Sequence, residues 1–339
     1  MASARLENSV SAQAIRNGDR RALARAITLT ESTSAKARAA SEELLTSLLP
    51  YTGSSIRIGI SGAPGVGKST LIEALGAHVT GMGRKLAVLA IDPSSRRSGG
   101  SILGDKTRME QLARNPNAFI RPSPAGVALG GVARRTRDAL LLVEAAGFDV
   151  VVVETVGVGQ SETAVASMTD VFVLLIGPGA GDELQGLKRG VMELADIVLV
   201  TKADGNFQQA AARAAADYAH ALHVMRPKYP SLAAQVLQVS VLEGRGLKEV
   251  WSAVHEFHSA LRNSGELSSL RAQQLDIWFG QELEQILSEY LFEDPEIAQE
   301  AAQMRDRVLM GDLLPSAAAR NLLHSFRVRT PLHRAAPPK

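Results

Sequence analysis

The amino-acid sequence predicts an α/β fold: a mostly parallel sheet flanked by helices, with a helical segment before it and a helical arm after it. Three observations predict it. Short β-branched runs recur at Ile56–Ser61, Leu86–Asp92, Val150–Glu154, Val171–Gly177, Ile197–Thr201 and Val236–Ser240. These runs lack polar alternation, which marks strands buried on both faces, as in a parallel sheet covered by helices. Helical patterns such as Val132–Ala146 and Asn206–Met225 lie between them, and the strand signal stops after Asn263–Gly265.

The elements follow in order. Residues 1–50 are rich in Ala, Arg and Glu, and Leu23, Ala26 and Ile27, then Leu44, Leu45 and Leu48, repeat at helical spacing; two or three short helices are expected there. Tyr51–Ser55 reads as a linker, and residues 55–262 as the sheet domain. In residues 265–330 a long helix carries a wide apolar stripe, including Leu270, Ile277, Leu283, Ile286, Leu287 and Tyr290. Pro295 and Pro315 open further helical segments. The stripe must be covered either by the sheet domain or by a second copy of the chain; the second copy, a homodimer through this arm, is the favoured expectation. Residues 331–339 read as a disordered tail.

Composition narrows the classes. The 339 residues are 45% hydrophobic and 21% charged, ordinary for a globular protein. The longest apolar runs, such as Val171–Ile176, fall far short of the roughly 20 residues a membrane-spanning helix needs, so no membrane segment is expected. The opening stretch lacks the apolar core of a secretory signal. Cysteine is absent, which excludes disulfides, iron–sulfur clusters and thiolate zinc sites and makes the cytoplasm the simplest expectation. A net charge of 37 − 35 = +2 offers no argument for nucleic acid. The basic residues Arg320, Arg327, Arg329, Arg334 and Lys339 near the end read as a solvated tail.

The sharpest motif is Gly62-Ala63-Pro64-Gly65-Val66-Gly67-Lys68-Ser69, which has the pattern G-x-x-x-x-G-K-S. It follows an apolar strand and opens a helix at Thr70, the context this motif requires. The glycines let backbone N–H groups curl around phosphate oxygens at a helix N-terminus. Lys68 would reach the terminal phosphates and Ser69 would supply a hydroxyl to Mg²⁺. A nucleoside triphosphate is the expected ligand.

The base is read from Thr201-Lys202-Ala203-Asp204 at the end of a strand. A carboxylate here accepts two hydrogen bonds from the guanine ring N–H and exocyclic amine; adenine would leave it unpaired. Lys202 would lie over the base face. Thr201 stands where asparagine is commoner. Ser240, Val241 and Leu242, after the last strand, resemble the companion loop that steadies the base. GTP and GDP are therefore expected over their adenine counterparts.

Asp92 and Glu154 end two strands on the phosphate-loop side of the sheet, where strand ends converge on a ligand. Both are candidate Mg²⁺ residues with Ser69, and the alternative for each is a turn or helix cap. Glu154-x-x-Gly157 resembles a γ-phosphate sensor, with the Gly157 N–H on the phosphate. Asp105 lies in a Gly-rich stretch with Lys106 and Arg108 and is a further metal candidate. Val158 stands where small GTPases place a water-orienting glutamine, with Gln160 two residues on. Slow intrinsic hydrolysis that needs help is expected, with Arg108 or Lys188 as the source of a cation. The Gly-rich stretch Gly177–Lys188 after the strand Val171–Ile176 reads as a third nucleotide-responsive loop.

Together, Gly62–Ser69, Asp92–Ser95, Glu154–Glu162, Gly177–Lys188 and Thr201–Asp204 resemble the MeaB/ArgK family of P-loop GTPases, over roughly Ile56–Gly246 by motif. The resemblance implies GTP hydrolysis that gates adenosylcobalamin loading of methylmalonyl-CoA mutase and protects that enzyme from inactivation. It implies a homodimer through the C-terminal arm, and a role for Lys188 in a switch loop that relays the partner's state. Nothing in the residues themselves names the mutase or cobalamin. A metal-insertion GTPase, a kinase linked to amino-acid transport and a scaffold that binds nucleotide without turnover remain as other functions. Against the first, the chain has no cysteine and its seven histidines are scattered; against the second, no acceptor site is evident.

Overall fold

The computed structural model describes residues 11–32, 34–91, 109–123, 129–155, 161–179 and 189–329. The chain divides into two compact units, Met1–Gln274 and Leu275–Lys339.

In the first unit, seven strands form one sheet: β1 (Ile56–Gly62), β2 (Leu86–Ile91), β3 (Ala118–Ser123), β4 (Val150–Thr155), β5 (Val171–Ile176), β6 (Ile197–Val200) and β7 (Gln235–Gln238). Every pairing is parallel, in the order β3-β2-β4-β1-β5-β6-β7. The central strands β1, β4, β5 and β6 are buried along their whole length. Their apolar runs therefore face helices on both sides, as expected.

Six of the strands were legible in the sequence; β3 was not. Its run Ala-Phe-Ile-Arg-Pro-Ser breaks the β-branched pattern with Arg121 and Pro122. Pro122 is tolerated because β3 is an edge strand, where a missing N–H costs no ladder bond.

The N-terminal residues fold into α1 (Ala12–Arg16), α2 (Arg20–Thr30) and α3 (Ala35–Leu48). Between the strands run α4 (Lys68–Gly81), α5 (Glu110–Arg114), α6 (Leu129–Ala145), α7 (Ser161–Ala166), α8 (Arg189–Met192) and α9 (Gln208–Val224). After β7 come α10 (Leu247–Ser264) and α11 (Glu266–Glu293). Asp19 caps α2 by accepting from the N–H groups of Arg21 and Ala22, at 2.8 and 3.0 Å. Leu23, Ala26 and Ile27 form its buried face, and α2 and α3 pack on α6.

The end of the sheet where β1 begins is fixed by buried charge. The Arg57 guanidinium donates to both carboxylate oxygens of Glu144, at 2.8 and 2.9 Å. The second Glu144 oxygen also accepts from the Gly53 N–H, and the first from the Ser55 hydroxyl. Arg271, on α11, holds Asp170 bidentately at 2.8–2.9 Å and donates to the carbonyl of Ser55. Every oxygen of these two carboxylates has a donor, the condition for burying charge.

In the second unit, the remainder of α11 is joined by α12 (Pro295–Leu309) and α13 (Pro315–Arg329). Asp294 caps α12 and Pro295 occupies its first turn, where a proline loses nothing. Tyr290 and Phe326 meet edge to face at 5.7 Å, and Ser325 donates to Glu300 at 2.7 Å. Leu283, Ile286, Leu287 and Tyr290 are exposed in the single chain.

Candidate functional site

The phosphate loop joins β1 to α4. At its start, a Cβ on Gly62 would stand 2.5 Å from the Leu175 carbonyl, so only glycine lets β1 run this close to β5. At its end, Gly67 has φ +105° and precedes α4 without any side-chain cap. The first N–H groups of α4 are thus left for a ligand, with the positive end of the helix dipole behind them.

Four of the loop's carbonyls are tied to side chains. The Lys68 ammonium holds the carbonyls of Gly62 and Ala63, at 2.7 and 3.0 Å. Lys202 donates to Gly65 at 2.8 Å, and the Thr201 hydroxyl to Val66 at 2.7 Å. With these carbonyls engaged, N–H groups of the loop remain for a ligand, and a concave row of N–H groups suits anionic oxygens. Burial pushes the Lys68 pKa down, while Glu154 and Glu162 pull it up. In the sequence pattern Glu162 belonged only to the family motif; the fold buries it and brings its charge to bear on Lys68.

Ser69 donates to Glu154 at 3.2 Å, at the end of β4, and Glu154 is 3% exposed. This is a pair of hard oxygen donors, the chemistry Mg²⁺ prefers. One residue further, Thr155 donates to Ser61 at 2.9 Å, which locks the ends of β4 and β1 together. Pro64 and Thr70 are exposed and Val66 is buried. Asp92, Asp105, Arg108, Gly157 and Lys188 lie outside the described residues.

The base motif leaves β6 at Thr201. The Thr201 N–H donates to Ile176 at 2.9 Å. Lys202 has φ 53°, the left-handed region, and is the one non-glycine residue there among those described. Asp204 accepts from the Ser240 hydroxyl at 2.5 Å. A carboxylate can only accept, so that hydroxyl's single proton is committed to Asp204. Its lone pairs are left to accept from the Glu243 N–H, at 3.1 Å. Ser240 and Arg245 exchange backbone hydrogen bonds, each 3.0 Å, and the Arg245 guanidinium donates to the Ala203 carbonyl. Arg245 gave no signal in the sequence; its role depends on this hairpin. Val241 packs against the core. The Leu242 side chain is 88% exposed, so its place in a base loop rests on its backbone.

A parallel α/β sheet with a phosphate loop after its first strand and T-K-x-D closing a later one defines a P-loop GTPase. The comparisons with known proteins agree. The family model described as methylmalonyl-CoA mutase-associated GTPase MeaB matches residues 23–296, and the chain belongs to that family. A probable GTPase of Mycobacterium bovis is 50% identical over 92% of this chain and 93% of its own. The mitochondrial methylmalonic aciduria type A homolog of Mus musculus is 44% identical over 92% and 78%. Among solved structures, one described as LAO/AO transport system kinase superposes with a TM-score of 0.73, at 39% identity over 97% of this chain and 99% of that one.

Proposed function

We propose that this chain is a GTP-hydrolysing chaperone of methylmalonyl-CoA mutase, gating the loading of that enzyme's adenosylcobalamin and protecting it from inactivation. The observation that carries the GTPase part is the bracing of the phosphate loop by Lys68, Lys202 and Thr201. One set of hydrogen bonds joins the phosphate-binding and base-reading elements. The mutase enters from the family description.

In this reading the α4 N–H groups and Lys68 take the phosphates, and Asp204, oriented by Ser240, takes the guanine edge. Ser69 and Glu154, with Asp92 and Asp105, would hold Mg²⁺, which spreads the charge of the β- and γ-phosphates. Gly157 would sense the γ-phosphate. Arg108 or Lys188 would bring a cation to the developing charge, completed by the partner, and the exposed α11 stripe would be covered by a second copy.

The test is steady-state phosphate release from GTP and from ATP, with and without purified methylmalonyl-CoA mutase. Slow GTP turnover that the mutase accelerates is expected, with little from ATP. GTP turnover indifferent to the mutase removes the partner. Preference for ATP with transfer to an added amino acid replaces this reading with a kinase.

A further inference from the structure

The end of the sheet opposite the phosphate loop carries a second cleft. β1 runs from Ile56 to Gly62, so its two ends stand about 20 Å apart. The cleft has a volume of about 410 Å³. It is framed by Arg84 before β2, Asp149 before β4, and His255, His258 and Arg262 from α10. Those three α10 residues share one face of the helix by their spacing.

Its side chains have features that neither the fold nor the nucleotide chemistry uses. Among the described residues, neither Arg84 nor Arg262 meets a carboxylate. Arg84 is held 5.6 Å over the Trp251 ring, whose other neighbour is His255 at 6.2 Å. His258 is 7% exposed, and its Nε2 makes no hydrogen bond. The nearest carboxylate oxygen, Oδ2 of Asp170, stands 3.6 Å from it and already accepts from Arg57 and Arg271. Burial pushes the His258 pKa down and Asp170 opposes this, while Arg271, Arg262 and His255 push it down further. The positive charge of the cleft is therefore that of Arg84 and Arg262, with His258 held toward its neutral form. The carboxylate lining the cleft, Asp149, has one oxygen taken by the Lys85 N–H at 2.7 Å.

We propose that this cleft binds a phosphate-bearing small organic molecule, with the phosphoryl group between Arg84 and Arg262. Two guanidinium forks, the exposed His255 imidazole and the hydroxyls of Ser54 and Ser259 offer more donors than a carboxylate's two oxygens accept. A phosphoryl group, with three oxygens and up to two charges, matches them better. The volume falls within the roughly 300–1,000 Å³ of small-molecule sites and exceeds what one phosphoryl group fills. The organic part would rest on Ile56 and Phe148, which also line the cleft.

The test uses the full chain saturated with GDP and Mg²⁺, so that the phosphate loop is filled. Phenyl phosphate, inorganic phosphate and benzoate are titrated calorimetrically. Phenyl phosphate should bind one per chain and tightest of the three. Arg84→Ala and Arg262→Ala should each weaken it about tenfold or more. Arg262→Gln, at an exposed position, should reproduce the loss with circular dichroism and GTP turnover intact. No binding, or insensitivity to both arginines, overturns the proposal. Benzoate binding as tightly overturns the phosphate assignment, and inorganic phosphate binding as tightly overturns the organic ligand.

Discussion

The Thr201 hydroxyl donates to the carbonyl of Val66 at 2.7 Å, across 135 residues of sequence. It also lies 3.1 Å from the Ile176 carbonyl, so one buried proton fastens the end of β6 to the phosphate loop and to the end of β5. Thr201→Val keeps the shape and removes the proton. Losing a buried hydrogen bond of this type costs about 1–3 kcal/mol. GTP affinity should fall about tenfold, with a lower melting temperature, in a fluorescent-nucleotide titration and a thermal melt. Thr201→Ser should restore both.

Asp204 accepts from Ser240, which leaves the rest of the carboxylate for a base edge with two donors. Asp204→Asn turns one acceptor into a donor. GTP should weaken by two orders of magnitude or about that, while xanthosine triphosphate, with a carbonyl where guanine has its amine, should bind better than to the native chain. Competition binding with the two nucleotides measures this; an unchanged preference removes the base assignment.

Lys68→Ala separates binding from stability. The Lys68 ammonium is buried, with a pKa held down by desolvation, and it ties two loop carbonyls. Tight triphosphate binding should be lost, while the melting temperature of the nucleotide-free chain should change by only a few degrees, since a costly buried charge leaves with the hydrogen bonds. Calorimetric titration with GTP and differential scanning calorimetry give the two readouts.

His258 gives a pH dependence of stability. Its folded pKa lies below the ordinary 6.5, first because it is buried and then through Arg271, Arg262 and His255, against Asp170. Just below pH 6.5 the unfolded chain therefore binds more protons than the folded one. The stability present above that pH is lost as pH falls toward the folded value. Asp196, whose pKa burial raises against the pull of Lys228, works in the opposite sense from 3.8 upward. The His258 part is thus read by difference: the melting temperature should fall on acidification through about pH 6, and fall less in His258→Gln.

Glu144→Gln tests the charged end of the sheet. It would leave the Arg57 guanidinium, 7% exposed at its side chain, without its counter-charge. Breaking a buried pair this way costs about 3–5 kcal/mol. Urea denaturation should show a loss of that order, and GTP affinity measured well below the midpoint should not move, because the pair stands at the other end of β1.

Much of the fold and of the nucleotide site is legible in the amino-acid sequence. Apolar runs mark six strands because a strand buried on both faces must be apolar throughout. The phosphate loop and T-K-x-D are legible because glycine, lysine and aspartate have few substitutes in those geometries. β3 escapes because an edge strand tolerates Arg121 and Pro122, which erase its pattern. Arg245, the Glu144–Arg57 pair and the cleft of Arg84 and Arg262 escape for another reason. Each is made of ordinary charged residues whose meaning lies in a neighbour distant along the chain, 42 positions from Arg245 to Ala203 and 87 from Arg57 to Glu144. Charge carries no periodicity that foretells its partner.

A lysine held at φ 53°, as Lys202 is, costs the chain about 1–2 kcal/mol. Contacts within the protein hold it there: its own ammonium on the Gly65 carbonyl, and the Ala203 N–H on the Val239 carbonyl. That cost is settled during folding, so the turn is already formed before any ligand arrives. Little ordering remains for the ligand to impose there. A guanine nucleotide bound there, as proposed, would then meet no turn-forming step on its way in.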